Sequence, residues 1–197
     1  MHDIASKATR DLLVELIGER HTTALYTNAL IPLFSAKETA PPYAKGGVKR
    51  AQRKLMVARE LVIRCLAEQL PREIITNPEL VRTYLQAKFA PLEREVFACL
   101  YLDTRHRIIG DLEVLFLGTI DTATVHPREI VKACLLKNAA AVILAHNHPS
   151  GVAEPSQADR ALTKRLSDAL ALIDVRVIDH IVVGSEGATS FAERGWL

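Results

Sequence analysis

The 197-residue sequence predicts an α+β protein, a mixed sheet flanked by helices and preceded by a small all-α N-terminal domain. Three observations carry that prediction. Roughly the first 70 residues hold only helical apolar spacing. Two strand-like runs then follow one another as a hairpin, and beyond them helices and strands alternate. With 49% hydrophobic residues there is ample material for a packed core. The expected division is residues 1–72 and 73–197.

In order, Asp11–Gly18 and Thr22–Phe34 carry apolar residues at helical spacing, and Lys37–Gly47, with Pro41-Pro42 and Gly46-Gly47, reads as a loop. Val48–Gln69 reads as a longer helix with apolar positions at Leu55, Val57, Leu61, Val62, Cys65 and Leu66, and Leu70–Glu73 as a linker. Asn77-Pro78 combines an N-cap residue with proline at the first helical position, opening a helix to about Lys88. Val96–Leu102 and Arg107–Phe116 are expected to pair as a hairpin, and Asp121–Val125 to form a turn or short strand. Pro127 opens the helix Arg128–Lys137. Strand Ala140–Ala145, helix Gln157–Leu172 and strand Val175–Val183 complete the chain.

Charge and cysteine content narrow the function classes. The net charge of +2 divides unevenly, with +5 over residues 1–72 and −3 over 73–197, so only the N-terminal part is a candidate for an acidic partner. A solvated helical face explains so modest an excess equally well. Cys65, Cys99 and Cys134 are widely spaced and form no CxxC pair, which fits reduced, mostly buried thiols. The N-terminus lacks a signal-peptide apolar run and no stretch reaches membrane-spanning length, so a soluble, cytoplasmic protein is expected.

The chemistry concentrates in residues 146–159, His-Asn-His-Pro-Ser-Gly-Val-Ala-Glu-Pro-Ser-Gln-Ala-Asp. His146 and His148 point to the same side of an extended segment. Pro149-Ser150-Gly151 breaks the strand, and Asp159 lies in the first turn of the next helix, where the loop can return it towards the histidines. Two histidines and a carboxylate with one open position form the ligand set of a catalytic zinc site. Ser156-x-x-Asp159 also reads as a capping box, and a capped helix can hold a carboxylate ligand in place. His126, before Pro127, reads as a cap or turn residue. His180 is either a buried, hydrogen-bonded histidine or a support for a metal ligand.

His-x-His, seven residues, Ser, two residues, Asp resembles the JAMM motif of the MPN/JAB metallohydrolase family, and His146–Gly151 with Pro155-Ser156 resembles its RadC branch. Glu95–Phe97, Leu102–Thr104, Gly118–Ile120, His126–Ile130, Asp179–Ile181 and Ser190-Phe191 resemble further landmarks of that branch, so the likeness spans residues 73–197. It implies an MPN/JAB-type, cytidine-deaminase-like fold and one zinc ion per chain held by His146, His148 and Asp159. It implies a peptide or isopeptide substrate, Glu95 as general base and Ser156 as donor to the developing oxyanion. Glu93 lies two residues off the alignment, and Glu129, at a helix start, fits a helix-dipole role better. Deubiquitinating members usually carry Ser or Thr between the histidines, where this chain has Asn147.

RadC-like proteins commonly carry a helix-hairpin-helix-like region ahead of the metal domain, and Lys45–Leu55 with Ala58–Val62 resembles its second half. Gly46-Gly47 replaces the usual alternating glycines there. That resemblance implies a DNA contact through Lys49, Arg50, Arg53 and Lys54. It also supports a competing function: a DNA-repair-associated protein that binds or processes nucleic acid, its metal serving phosphodiester chemistry or structure.

Overall fold

The computed structural model describes residues 8–25, 46–73, 78–89, 92–118, 125–185 and 187–197. The expectations for 26–34, for 37–45, for the Asn77 cap and for 121–124 lie outside the described residues. Contacts divide the chain into two units, residues 1–64 and 65–197.

In the first unit, α1 (Thr9–Ile17) ends at Gly18, whose N–H still bonds Val14 O and whose φ of 89° then turns the chain out of the helix. Next come α2 (Glu19–Leu25) and the long α3 (Gly46–Glu73), which runs through the division. Leu13 and Ile17 pack with Ala51 and Leu55 in a small core. Three expectations need correction. The predicted loop gives way at Gly46-Gly47, which open α3. The predicted linker is helical: α3 continues to Glu73, and Pro71 lies in its last turn. The buried stripe is Ala51, Leu55 and Ile63, whereas Val57, Leu61, Val62 and Cys65 are exposed.

The second unit is built on a five-stranded sheet. Its elements are α4 (Pro78–Phe89), β1 (Val96–Leu102), β2 (Glu113–Leu117), α5 (Pro127–Lys137), β3 (Ala141–Asn147), α6 (Gln157–Ala171), β4 (Arg176–Gly184) and β5 (Gly187–Ser190). The spatial order is β2-β1-β3-β4-β5; only the β3–β4 pair is parallel, joined by the α6 crossover. β1 and β3 are buried along their whole length, which explains why they read as unbroken apolar runs rather than as alternation. Phe97, Cys99 and Tyr101 of β1 and Val142 and Leu144 of β3 meet Ile130 and Cys134 of α5 and Leu166 and Leu170 of α6. α4 packs on β3, β4 and β5. It lines a cavity of about 300 Å³ with Leu102, Ile143 and Ile181, whose parity places them on the face opposite that core.

The predicted strand Arg107–Phe116 is shorter than expected. Gly110 has a φ of 73°, and the chain before β2 keeps a single bridge, Leu102 to Ile108. β5 was not foreseen: four residues without an apolar run leave no periodic signal.

Candidate metal centre

β3 delivers His146 and Asn147 to the end of the sheet. The chain then turns, held by His148 N–H on Val183 O at 2.8 Å and Gly151 N–H on His148 O at 3.0 Å. This turn passes unusually close to β4. A Cβ on Gly184 would lie 2.2 Å from Gly151 O, so only glycine admits the loop there. Ser156 caps α6: its hydroxyl accepts from Asp159 N–H, and its own N–H donates to Asp159 Oδ2 at 2.7 Å. Capping box and ligand are thus one arrangement, because the cap orients the carboxylate.

Asp159 Oδ1 lies 3.3 Å from His146 Nε2, and Oδ2 lies 3.6 Å from His148 Nε2. The two Nε2 atoms are 3.0 Å apart. Among the described residues these three form the one group able to hold a metal ion, each offering a ligand atom within 4.8 Å of the others. His148 Nδ1 donates to Val152 O at 2.8 Å, which leaves its Nε2 facing the group.

The electrostatics favour positive charge at the centre of the three. Burial would push the Asp159 carboxyl up, but its contacts with His146, His148 and Ser156 outweigh that and hold it well below the usual carboxylate range. Asp159 in turn raises His148 against burial, with smaller contributions from Val152 and Glu95. A divalent cation satisfies the same demand as the proton that Asp159 draws onto His148. The donor set, two imidazoles and a carboxylate, therefore fits zinc.

Glu95 stands immediately before β1, half-buried and near enough to act on His148. Glu93 is exposed. Glu129 is exposed in the first turn of α5, 3.6 Å from Arg128. His126 is the N-cap of α5, with no hydrogen bond from its side chain to the cap.

Two roles went unread in the sequence. Asn147 Oδ1 accepts from Val96 N–H at 2.8 Å and its Nδ2 donates to Arg94 O at 3.0 Å, so the residue between the histidines pins the segment that carries Glu95. Thr163, one turn after Asp159, bonds the buried His180, which in turn bonds His146. Burial first, and then the charge of His146, lower the His180 pKa well below its ordinary value. Only the spacing Asp159-x-x-x-Thr163, one face of a helix, could have flagged the threonine.

Of the basic residues, Arg50 and Arg53 are exposed. Lys54 Nζ donates to Leu16 O at 3.0 Å. The Lys49 side chain lies outside the described residues. Among the described residues no helix is long and apolar enough to cross a membrane.

A mixed α+β sheet unit with a histidine–carboxylate group at the end of a central strand is the class of protein that these observations define. The model of the RadC-like JAB domain matches residues 75–196, and the chain belongs to that family. It is 52% identical over 170 residues to a UPF0758 protein of Vibrio parahaemolyticus, covering 86% of this chain and 75% of that protein. With a UPF0758 protein of Aeromonas hydrophila it shares 55% over 172 residues, with the same coverage. With one of Stutzerimonas stutzeri it shares 49% over 195 residues, 98% of this chain and 84% of the relative.

Proposed function

We propose that the protein is a zinc-dependent hydrolase that attacks an amide carbonyl in a peptide or isopeptide substrate. The observation that carries this reading is the convergence of His146, His148 and Asp159, one donor atom from each, beside the half-buried Glu95. When bound, zinc supplies Lewis acidity and lowers the pKa of a water ligand to about 7.

The chain's own groups do the rest. Glu95 accepts the proton of the attacking water and returns it to the leaving nitrogen. Asn147 fixes the backbone on both sides of Glu95, which keeps the carboxylate aimed at the site. The Ser156 hydroxyl turns from Asp159 Oδ2 towards the substrate oxygen, while the Ser156 N–H keeps the carboxylate in place.

In this reading residues 1–72 form a helical domain and 73–197 the metallohydrolase domain, in a cytoplasmic protein. Arg50 and Arg53 are its candidate phosphate contacts, and binding through them weakens steeply with added salt.

Metal analysis of the purified protein together with a substrate panel tests the proposal. His148→Ala should lose zinc; Glu95→Gln should keep zinc and lose hydrolysis of peptide or isopeptide substrates. Equal hydrolysis by wild type and Glu95→Gln removes Glu95 as base. Chelator-sensitive cleavage of single-stranded DNA, with peptides untouched, replaces the amide reading by the nucleic-acid one.

A further inference from the structure

His180 is fully buried, yet both of its ring nitrogens have side-chain partners. Nε2 lies 2.8 Å from His146 Nδ1, and Nδ1 lies 2.6 Å from the Thr163 hydroxyl. The hydroxyl is also 2.6 Å from the backbone carbonyl of Asp159, the third residue of the candidate centre. A carbonyl only accepts, so the Thr163 proton goes to it, and that choice orients every bond behind it. Thr163 Oγ1 then accepts from His180 Nδ1–H, His180 Nε2 accepts from His146 Nδ1–H, and His146 is left with its lone pair on Nε2. That is the atom facing His148 and Asp159.

We propose that Thr163 and His180 are positioning residues that set His146 as its Nδ1–H tautomer before any metal arrives, aiming the Nε2 lone pair into the site. The opposite orientation, with Thr163 donating to His180, strips the Asp159 carbonyl of its hydroxyl partner. It also places a hydrogen on His146 Nε2, where a ligand needs a lone pair. The relay begins and ends on ligand residues, so it ties the backbone of the α6 first turn to the end of β3.

The fold makes a specific provision for it. Val142 pairs with Val177 but Ile143 pairs with Asp179, so Ile178 is an extra residue in β4. The bulge reverses the facing of everything beyond it. Val177 and His180, three apart, therefore share the face that carries Leu144 and His146. Phe97 closes the relay on one side, its ring stacked on His146 at 6.2 Å and edge-on to His180 at 5.6 Å. Phe191 packs on His180 from the other, at 4.8 Å.

The inference rests on the metal reading for its purpose, whereas the tautomer can be tested without metal. In metal-free protein at about pH 8, where free imidazoles are neutral, two-bond nitrogen–proton NMR correlations should show His146 protonated at Nδ1 and bare at Nε2. Thr163→Val should mix or reverse that state, and Thr163→Ser should restore it. A wild-type His146 protonated at Nε2, or a Thr163→Val spectrum like wild type, overturns the proposal. Zinc competition titration supplies the second readout: His180→Leu should weaken binding on the order of 10–100-fold. His180→Gln, which keeps an acceptor for His146, should recover most of it. Wild-type affinity in a folded His180→Leu variant also overturns the relay. If His180→Leu does not fold, Thr163→Val carries both readouts. A wild type that binds no zinc defeats the metal reading and leaves the tautomer experiment to decide the relay.

Discussion

The two units hold their polar groups in different ways, and that difference locates the function. In the sheet unit, His146, Asn147, Thr163, His180 and Ser190 are buried, and each has a defined hydrogen-bond partner. In the helical unit buried Thr22 donates only to Gly18 O, one turn back in the chain, and the other described side-chain contacts lie at the surface: Arg10 with Glu19, Lys54 on the end of α1, Arg64 with Glu60. A buried polar network left half-satisfied costs more than an apolar core of the same shape, so it persists where its geometry is used. An exposed basic helix carries no such constraint. The buried network therefore marks residues 146–180 as the stretch whose geometry is used, while the N-terminal charge supports only an electrostatic reading.

The sharpest way to break this contrast is to load the site. Zinc added to metal-free protein should slow amide hydrogen exchange in β3, the 148–156 turn and the first turns of α6, and leave Thr9–Leu25 unchanged. Metal at 100 times its Kd adds about 2.7 kcal/mol to the unit that binds it. Protection that appears instead in α1 and α2 would place the cation elsewhere. Gly184→Ala comes next. Its Cβ meets Gly151 O, a backbone atom that moves only with the loop, so the variant should lose about 1–3 kcal/mol in denaturant unfolding and bind zinc more weakly. Unchanged zinc affinity would show that the turn's close approach to β4 does not position His148.

The cysteines repeat the contrast between buried core and exposed helix, although all three fall within residues 65–197. Cys99 and Cys134 are buried in the sheet core; burial pushes Cys134 up to about 11 and Cys99 well above its ordinary value. Cys65 is exposed. Alkylation at neutral pH, counted by mass spectrometry, should therefore mark one thiol quickly and the other two only as the core opens. Two fast thiols would mean that the α5–sheet packing is looser than described.

How far the sequence could be read follows from the same physics. β1 matches its predicted bounds because a strand buried on both faces is an uninterrupted apolar run. The candidate centre is legible because His146, His148, Ser156 and Asp159 fall within one strand–turn–helix stretch: spacing puts the histidines on one side, the loop allows Asp159 to return, and the resemblance to the JAMM motif implies that it does. His180 was left open for a physical reason: the bulge at Ile178 reverses its facing, and no alternation pattern reports a bulge. Asn147 stands out in the sequence only as a departure from the deubiquitinating pattern; its structural role is not legible there, because its partners on residues 94 and 96 belong to a distant part of the chain. On α3 a broad apolar face offered several stripes, and helical spacing does not say which one finds a partner.

The smallest effect comes from the helical unit and tests its side of the contrast. Lys54 Nζ donates to Leu16 O, a carbonyl in the last turn of α1, where a cation also complements the helix dipole. The contact is exposed, so Lys54→Ala should cost only about 0.3–1 kcal/mol, and less as salt is added. Lys54→Gln should recover part of the loss, because the amide keeps a donor without the charge. Nucleic-acid affinity, if the basic helix has any, should respond in the opposite order of importance. Arg50 and Arg53, both exposed, should dominate it, and Lys54, already engaged with α1, should contribute least. A Lys54→Ala variant that loses binding as steeply as Arg50→Ala, with no change in stability, would show that the Leu16 contact gives way to a phosphate. The basic stretch would then be a working interface rather than a solvated face.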